Sequence, residues 1–240
     1  SDFGYYKVNI ERPDRRKAQF SLERIETLRF DKALNQPMQW IYQQWGDDVY
    51  QPGCLEQHEK AILAWCEDNE LGLNAKNRSK LLSLDTWLKQ QNLMQTAQTL
   101  MAAIGTDQSS DFNKFKVSVD AILKTQNIKL SASDKNAILN AVSWYDETAE
   151  KVIAQTFKLN GDMLEKVLQR LDCSEDELPD FGVYPTGKKG EYLSYESNAD
   201  LRDSESVPLN DQIHRYFQAE VKPHVAEAWI NLDSVKIGYE

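Results

Sequence analysis

Apolar residues along this chain recur mostly at helical spacing. Leu55, Ile62, Trp65 and Cys66 make one stripe, and Leu93, Ala97, Leu100, Met101 and Ile104 make a second that Gly105 is placed to close as a C-cap. Phe112, Phe115, Val119, Ile122 and Leu123 follow Asp111, whose carboxylate suits an N-cap because it accepts from the free amides of a first helical turn. Ser131-x-x-Asp134 has capping-box spacing ahead of Ile138, Leu139 and Val142, while Leu164, Val167, Leu168 and Leu171 repeat on one helix face. At the start of the chain the period becomes two. In Phe3–Glu11, Tyr6, Val8 and Ile10 fall on one side and Tyr5, Lys7 and Asn9 on the other, which predicts a half-buried strand ended by Pro13. Its expected partner is Val235–Tyr239, also short and rich in β-formers. The pattern therefore predicts a mainly α fold, a multi-helix domain with a few short strands that pair the N- and C-terminal segments.

From about Asp172 to Pro208 the apolar period disappears. Glu175, Asp176, Glu177 and Asp180 crowd together, and Gly182, Pro185, Gly187 and Gly190 punctuate the stretch. After it, Ile213, Tyr216, Phe217 and Val221 form the apolar face of a helix that starts near Leu209 and stops before Pro223. Three segments are expected: an N-terminal strand plus helical body over 1–171, an acidic loop or linker over 172–208, and a C-terminal helix and strand over 209–240 packing back on the body.

Charge narrows the function classes. A net charge of -10 and a pI of about 4.9 make the chain as a whole repel a polyanion, so any DNA contact has to be local. No window approaches the roughly 18 uninterrupted apolar residues of a membrane span, and the start of the chain lacks a basic region followed by an apolar run. Cys54, Cys66 and Cys173 are odd in number and widely spaced, which fits inert thiols in a reducing cytoplasm better than a disulfide framework or a zinc site.

Motifs that carry chemistry are near-misses. Gly182-Val183-Tyr184-Pro185-Thr186-Gly187-Lys188-Lys189 approaches a phosphate-binding loop, but Lys189 stands where a hydroxyl must meet magnesium, and a Gly/Pro loop is the expectation. Asn35-Gln36-Pro37-Met38 lacks the second proline and the aromatic with which adenine methyltransferases hold and stack a flipped base, so a turn between helices is expected. His58, His214 and His224 sit in unrelated contexts without a ligand pattern, and His58 shares the face of Leu55 and Ile62. The expectation is no catalytic residue, no metal site and no cofactor site in this chain.

Two features invite a binding role. Arg12, Arg15, Arg16 and Lys17 form the densest basic cluster, able to touch a DNA backbone or to form ion pairs with Glu11, Asp14 and Glu23. Of the tryptophans, Trp40, Trp45, Trp65, Trp87 and Trp144 lie in or beside helical stripes, where core packing is the expected use. Trp229 lies between a helix end and the final strand, where it covers a joint or, with Tyr239, anchors a partner.

The ends also carry a resemblance. Phe3-Gly4-Tyr5-Tyr6-Lys7-Val8 with Glu11-Arg12-Pro13, then Leu201-Arg202-Asp203-Ser204-Glu205-Ser206-Val207-Pro208-Leu209, Pro223-His224-Val225, Ala228-Trp229-Ile230 and Val235-Lys236-Ile237-Gly238-Tyr239-Glu240 resemble the C-terminal region of the modification subunit of type I restriction-modification systems. Leu130-Ser131-Ala132-Ser133, Ala137-Ile138-Leu139, Ala141-Val142-Ser143-Trp144 and Asp146-Glu147-Thr148-Ala149-Glu150 look like the same family. The likeness covers Phe3 to Phe20 and Phe112 to Glu240, and leaves Arg29 to Ser110 unplaced. Asp14 departs from a usual aliphatic residue, and Ser204 from a frequent threonine.

This resemblance implies part of a DNA adenine-N6 methyltransferase subunit that uses S-adenosylmethionine, works with a specificity subunit and a restriction subunit, and meets DNA only in the assembled complex. The catalytic fold of such a subunit precedes the matched segments, so the chain is expected to be a non-catalytic fragment cut at both ends, with Ser1 a cloning residue. A stand-alone helical adaptor sharing the end motifs is the competing reading. An independent DNA-binding module is disfavoured by the charge and by the lack of a recognition helix.

Overall fold

The computed structural model describes residues 4–239; Ser1, Asp2, Phe3 and Glu240, and the expectations resting on them, lie outside the described residues. The chain is 52% helix and 21% strand, with the strands in three small antiparallel sheets, so the expected mainly α class is corrected to a mixed α/β fold. Two units share the chain: residues 1–17, 110–113 and 145–240 make one, and residues 18–109 and 114–144 the other. The expected division at 171 and 208 does not match these boundaries.

In the helical unit, Asn35–Trp45, Cys54–Asp68, Ala75–Leu81, Leu84–Ile104 and Ala132–Ala141 are the main helices. The first three of these and Trp87 of the fourth meet around Leu34, Met38, Ile41, Val49, Leu55, Ile62, Cys66 and Leu81. Trp87 is fully buried, and its indole N–H donates to the Leu81 carbonyl at 3.0 Å, which removes the cost of burying that donor. Local signals act as expected here. Gly105 ends the long helix at φ +95°, the Ser131 hydroxyl accepts from the Asp134 amide at 3.0 Å, and Asp111 accepts from the Asn113 amide at 3.0 Å at the start of Phe112–Thr125. Asn35–Met38 is not a turn between helices but the first turn of Asn35–Trp45, where Pro37 removes only an amide that has no partner in the helix.

The mixed unit is organised by its ends. Gly4–Glu11 is the central strand of a three-stranded sheet, flanked by Asp203–Pro208 and by Trp229–Tyr239, both antiparallel to it. Register pairs Tyr6 with Val207 on one side and with Ile237 on the other, and Ile10 with Ile230, so the N- and C-terminal segments do meet. A bulge between Lys7 and Asn9 has a visible cause: the Asn9 amide donates to the Ser234 hydroxyl at 2.8 Å instead of continuing the ladder. One face buries Val8, Ile10, Val207 and Ile230 against Phe217 and Val221 of the C-terminal helical segment, which runs as Ile213–Tyr216 and then a π-helical turn, Phe217–Val221.

Residues 172–208 are not a loop or linker. They hold a 3₁₀ helix, Glu175–Phe181, and strands Tyr184–Pro185, Glu191–Tyr195 and Asp203–Pro208. Ile153–Lys158, Glu191–Tyr195 and Tyr184–Pro185 build a second sheet. The amphipathic helix Asp162–Leu171 lays Leu164, Val167, Leu168 and Leu171 on the small core of Leu159, Leu178 and Tyr192. The third sheet pairs Arg16–Ala18 with Ser143–Tyr145. No helix among the described residues is long and apolar enough to cross a membrane.

Candidate functional site

The mixed unit gathers charged and polar groups that are distant in sequence around Asp180. This carboxylate is 2% exposed at the end of the 3₁₀ helix and accepts from Lys222 Nζ at 2.6 Å and Gln218 Nε2 at 3.2 Å, with His214 Nε2 at 2.9 Å. Glu177, one turn earlier, accepts from Gln218 at 2.8 Å and from the Ser174 amide at 3.0 Å in a capping box. Burial works to raise the Asp180 carboxyl, but hydrogen bonds from Lys222, His214 and Gln218 outweigh it and hold the group below the ordinary carboxylate range. Glu177 is held down to about 2, chiefly by the Ser174 amide.

His214, Gln218 and Lys222 recur every four residues, so they form one polar stripe on the segment whose opposite side, Phe217 and Val221, is core. That spacing is the signal that finds the network, and a search for ligand motifs passes over it. An open cavity of about 480 Å³ lies beside the network, lined among others by Tyr6, Asp172, Glu177, Phe181, Asp211 and Arg215. Glu177, Asp180 and His214 place ligand atoms within 4.8 Å of one another. The Lys222 ammonium at 2.6 Å already neutralises the most buried of these carboxylates, so the arrangement is that of an ion-pair clamp joining 3₁₀ helix to C-terminal helix rather than a cation cage.

The basic cluster expected at the end of the first strand is engaged by carboxylates. Arg12 meets Asp203 at 2.7 Å, Arg15 meets Glu227 at 2.6 Å, Arg16 meets Asp14 at 3.5 Å and Lys17 meets Asp146 at 3.3 Å. Arg15 also donates to the Ala149 carbonyl at 2.9 Å. Asp14 is the only one of these carboxylates among the partners expected from sequence; Glu11 instead lies 3% exposed, taking both bonds from Arg202 Nε at 2.8 and 2.9 Å. Arg12 Nε is buried without a hydrogen-bond partner among the described residues.

Trp229 is 8% exposed. Its ring lies so close to Gly182, which has φ +80°, that a β-carbon there would sit 2.8 Å from it, and it meets Tyr184 edge-on at 6.4 Å. Tyr239, by contrast, is 71% exposed at the end of the final strand, with Ile237 also exposed. The glycines of the Gly182–Lys189 stretch thus serve turns and close packing. His58 stacks on Trp45 at 4.2 Å, and Cys54, Cys66 and Cys173 are free thiols, each pushed up by burial. No family model, no curated protein and no solved structure matches this chain.

Proposed function

We propose that this chain is an assembly region of a type I modification methyltransferase subunit, without chemistry of its own, acting in the cytoplasm through contact with the specificity subunit. One observation supports the reading above the others. The segments that carry the family resemblance, around residues 4–13, 201–209 and 228–239, lie far apart in sequence, the first and last pairing Gly4 with Tyr239, yet they form the three strands of one sheet. Residues that specify a sheet across such a distance constitute one module, and the Glu11–Arg202 pair ties two of the motifs together inside it.

The adenine site and the S-adenosylmethionine site belong, on this reading, to the parent subunit outside the chain, and DNA and the restriction subunit are met in the assembled complex. Tyr239 and Ile237 offer exposed apolar surface for docking at the end of the sheet. The test is co-purification of the 240-residue chain with the specificity subunit. Capture that Ile237→Asp and Tyr239→Asp weaken supports the proposal. Failure of capture where a longer subunit succeeds, or methyl transfer by the chain alone, overturns it.

A further inference from the structure

The negative charge of this chain is not spread evenly. The mixed unit holds fifteen Lys and Arg against twenty-four Asp and Glu, whereas the helical unit holds thirteen against fourteen and is close to neutral. Within the helical unit, residues 114–135 carry five lysines and two aspartates, and both aspartates are already engaged: Asp120 by Lys135 at 3.0 Å and Asp134 by Lys89 at 3.5 Å. Lys124 and Lys129 are exposed and have no carboxylate at ion-pair distance among the described residues. A chain of net charge -10 thus keeps one locally basic stretch.

That stretch belongs to a wider face. Lys116, Asp120 and Lys124 recur every four residues on Phe112–Thr125, in a row beside the buried Phe115, Val119 and Leu123. The Lys135–Asp120 pair brings Ala132–Ala141 alongside, and the Lys89–Asp134 pair brings Leu84–Ile104 next to that helix. Lys80, 2.6 Å from Asp31, shares a cleft with Lys89. With Lys129 in the turn between two of the helices, six lysines accompany three aspartates, an excess of three positive charges. Largely exposed ion pairs of this kind are worth little in water, so they do not hold the lysines back from a stronger anion. Nor do the cations converge as a small anion needs: Lys116 and Lys124 lie about 12 Å apart along the helix axis, a length over which duplex DNA presents about seven phosphate charges. We propose that this lysine face contacts the phosphate backbone of duplex DNA, without reading its sequence. The choice of DNA rests on the methyltransferase reading above; the basic face does not.

Titrating a fluorescein-labelled duplex of arbitrary sequence with the full 240-residue chain, read as anisotropy from low to physiological salt, decides the matter. The slope of log affinity against log salt carries the answer even where binding is weak, since about 0.9 counterion is released for each phosphate neutralised. Lys124→Gln combined with Lys129→Gln is expected to make that slope shallower by about two. Lys188→Gln combined with Lys189→Gln, an equal change of charge on exposed lysines of the mixed unit, is expected to leave it where it was. No binding at low salt overturns the proposal, and so does an equal response of the two double variants, which marks attraction by bulk charge. Uptake by phosphatidylglycerol vesicles with the same dependence on Lys124 and Lys129 overturns it too, in favour of a membrane surface. Capture of the specificity subunit tests the assembly reading separately, so either can fall without the other.

Discussion

The helical unit and the mixed unit keep their shape by different means. In the first, wide apolar side chains from neighbouring stretches of sequence close on Trp87, and polar groups are mostly caps and surface pairs. In the second, apolar burial is divided between two small cores, and residues about 190 positions apart are joined by ion pairs, Arg12 with Asp203 and Glu11 with Arg202. Burial of apolar area is nearly indifferent to pH and salt, whereas paired charges respond to both. The two units should therefore fail under different conditions, and hydrogen exchange read peptide by peptide is the measurement that separates them.

Trp87→Ala is expected to have the largest effect. Deleting a fully buried indole removes about 3–5 kcal/mol, with the loss confined to peptides of 18–109 and 114–144 and unchanged between pH 7 and pH 4. A loss of protection as great in the strands Gly4–Glu11 and Trp229–Tyr239 would show that the two units unfold as one.

Gly182→Ala comes next and probes the other unit. It combines a left-handed backbone, costing roughly 1–2 kcal/mol for a residue with a β-carbon, with contact at 2.8 Å from Trp229, for which overpacking adds about 1–3 kcal/mol. Exchange should accelerate in residues 175–195 and 229–239. An unchanged profile would mean that the Trp229 ring has room to move, and would return it to the list of surfaces available to a partner.

These cases show what is legible in a sequence. The helices were readable because their evidence is local: Ser131 with Asp134, Gly105 after Ile104, and the Leu164–Leu171 stripe each lie within a few turns. Pairing of the two ends is readable because Phe3–Glu11 alternates and Val235–Tyr239 is short and rich in β-formers. Asp203–Pro208 was missed because Val207 is its only buried residue, so a strand flanking the sheet on polar side chains looks like a loop. Glu191–Tyr195 and the 3₁₀ helix were hidden for the same reason, their order coming from Tyr192, Leu178 and long-range contacts instead of from periodicity. Likewise, the carboxylates facing Arg12, Arg15 and Lys17 stand 130 to 212 positions or so away, at Asp203, Glu227 and Asp146, and proximity in sequence offered Glu11 and Glu23 instead.

Asp180→Asn sharpens the contrast through pH. The variant keeps the shape but removes the charge that Lys222 and Gln218 bond to, with an expected cost of about 1–3 kcal/mol at pH 7, on the scale of hydrogen bonds to charged groups. A carboxylate whose folded pKa lies below its unfolded one contributes stability that is present above the unfolded value, near 4, and is lost as pH falls through the folded value. Wild type and Asp180→Asn should therefore differ at pH 7 and converge as pH falls below about 4, while Glu177, with its carboxyl held at about 2, loses its own contribution to the clamp as pH falls toward that value. A gap that does not narrow as pH falls below about 4 would show that Asp180 acts by shape.

The smallest expected effect is that of Arg15→Ala. Its guanidinium is partly exposed and bridges Glu227 and the Ala149 carbonyl, so the pair is worth at most about 1 kcal/mol, and less in high salt. Because that side chain is already engaged within the mixed unit, a role on DNA requires Glu227 to release it, and the two demands have opposite signatures. If the arginine is structural, Arg15→Ala and Glu227→Ala lower protection to a similar degree and leave the DNA affinity of the proposed methyltransferase assembly, and its salt slope, where they were. If it is a phosphate contact, Glu227→Ala frees it and tightens DNA binding, while Arg15→Ala reduces the salt slope by about one. The pair of variants separates the two roles even though each alone is mild.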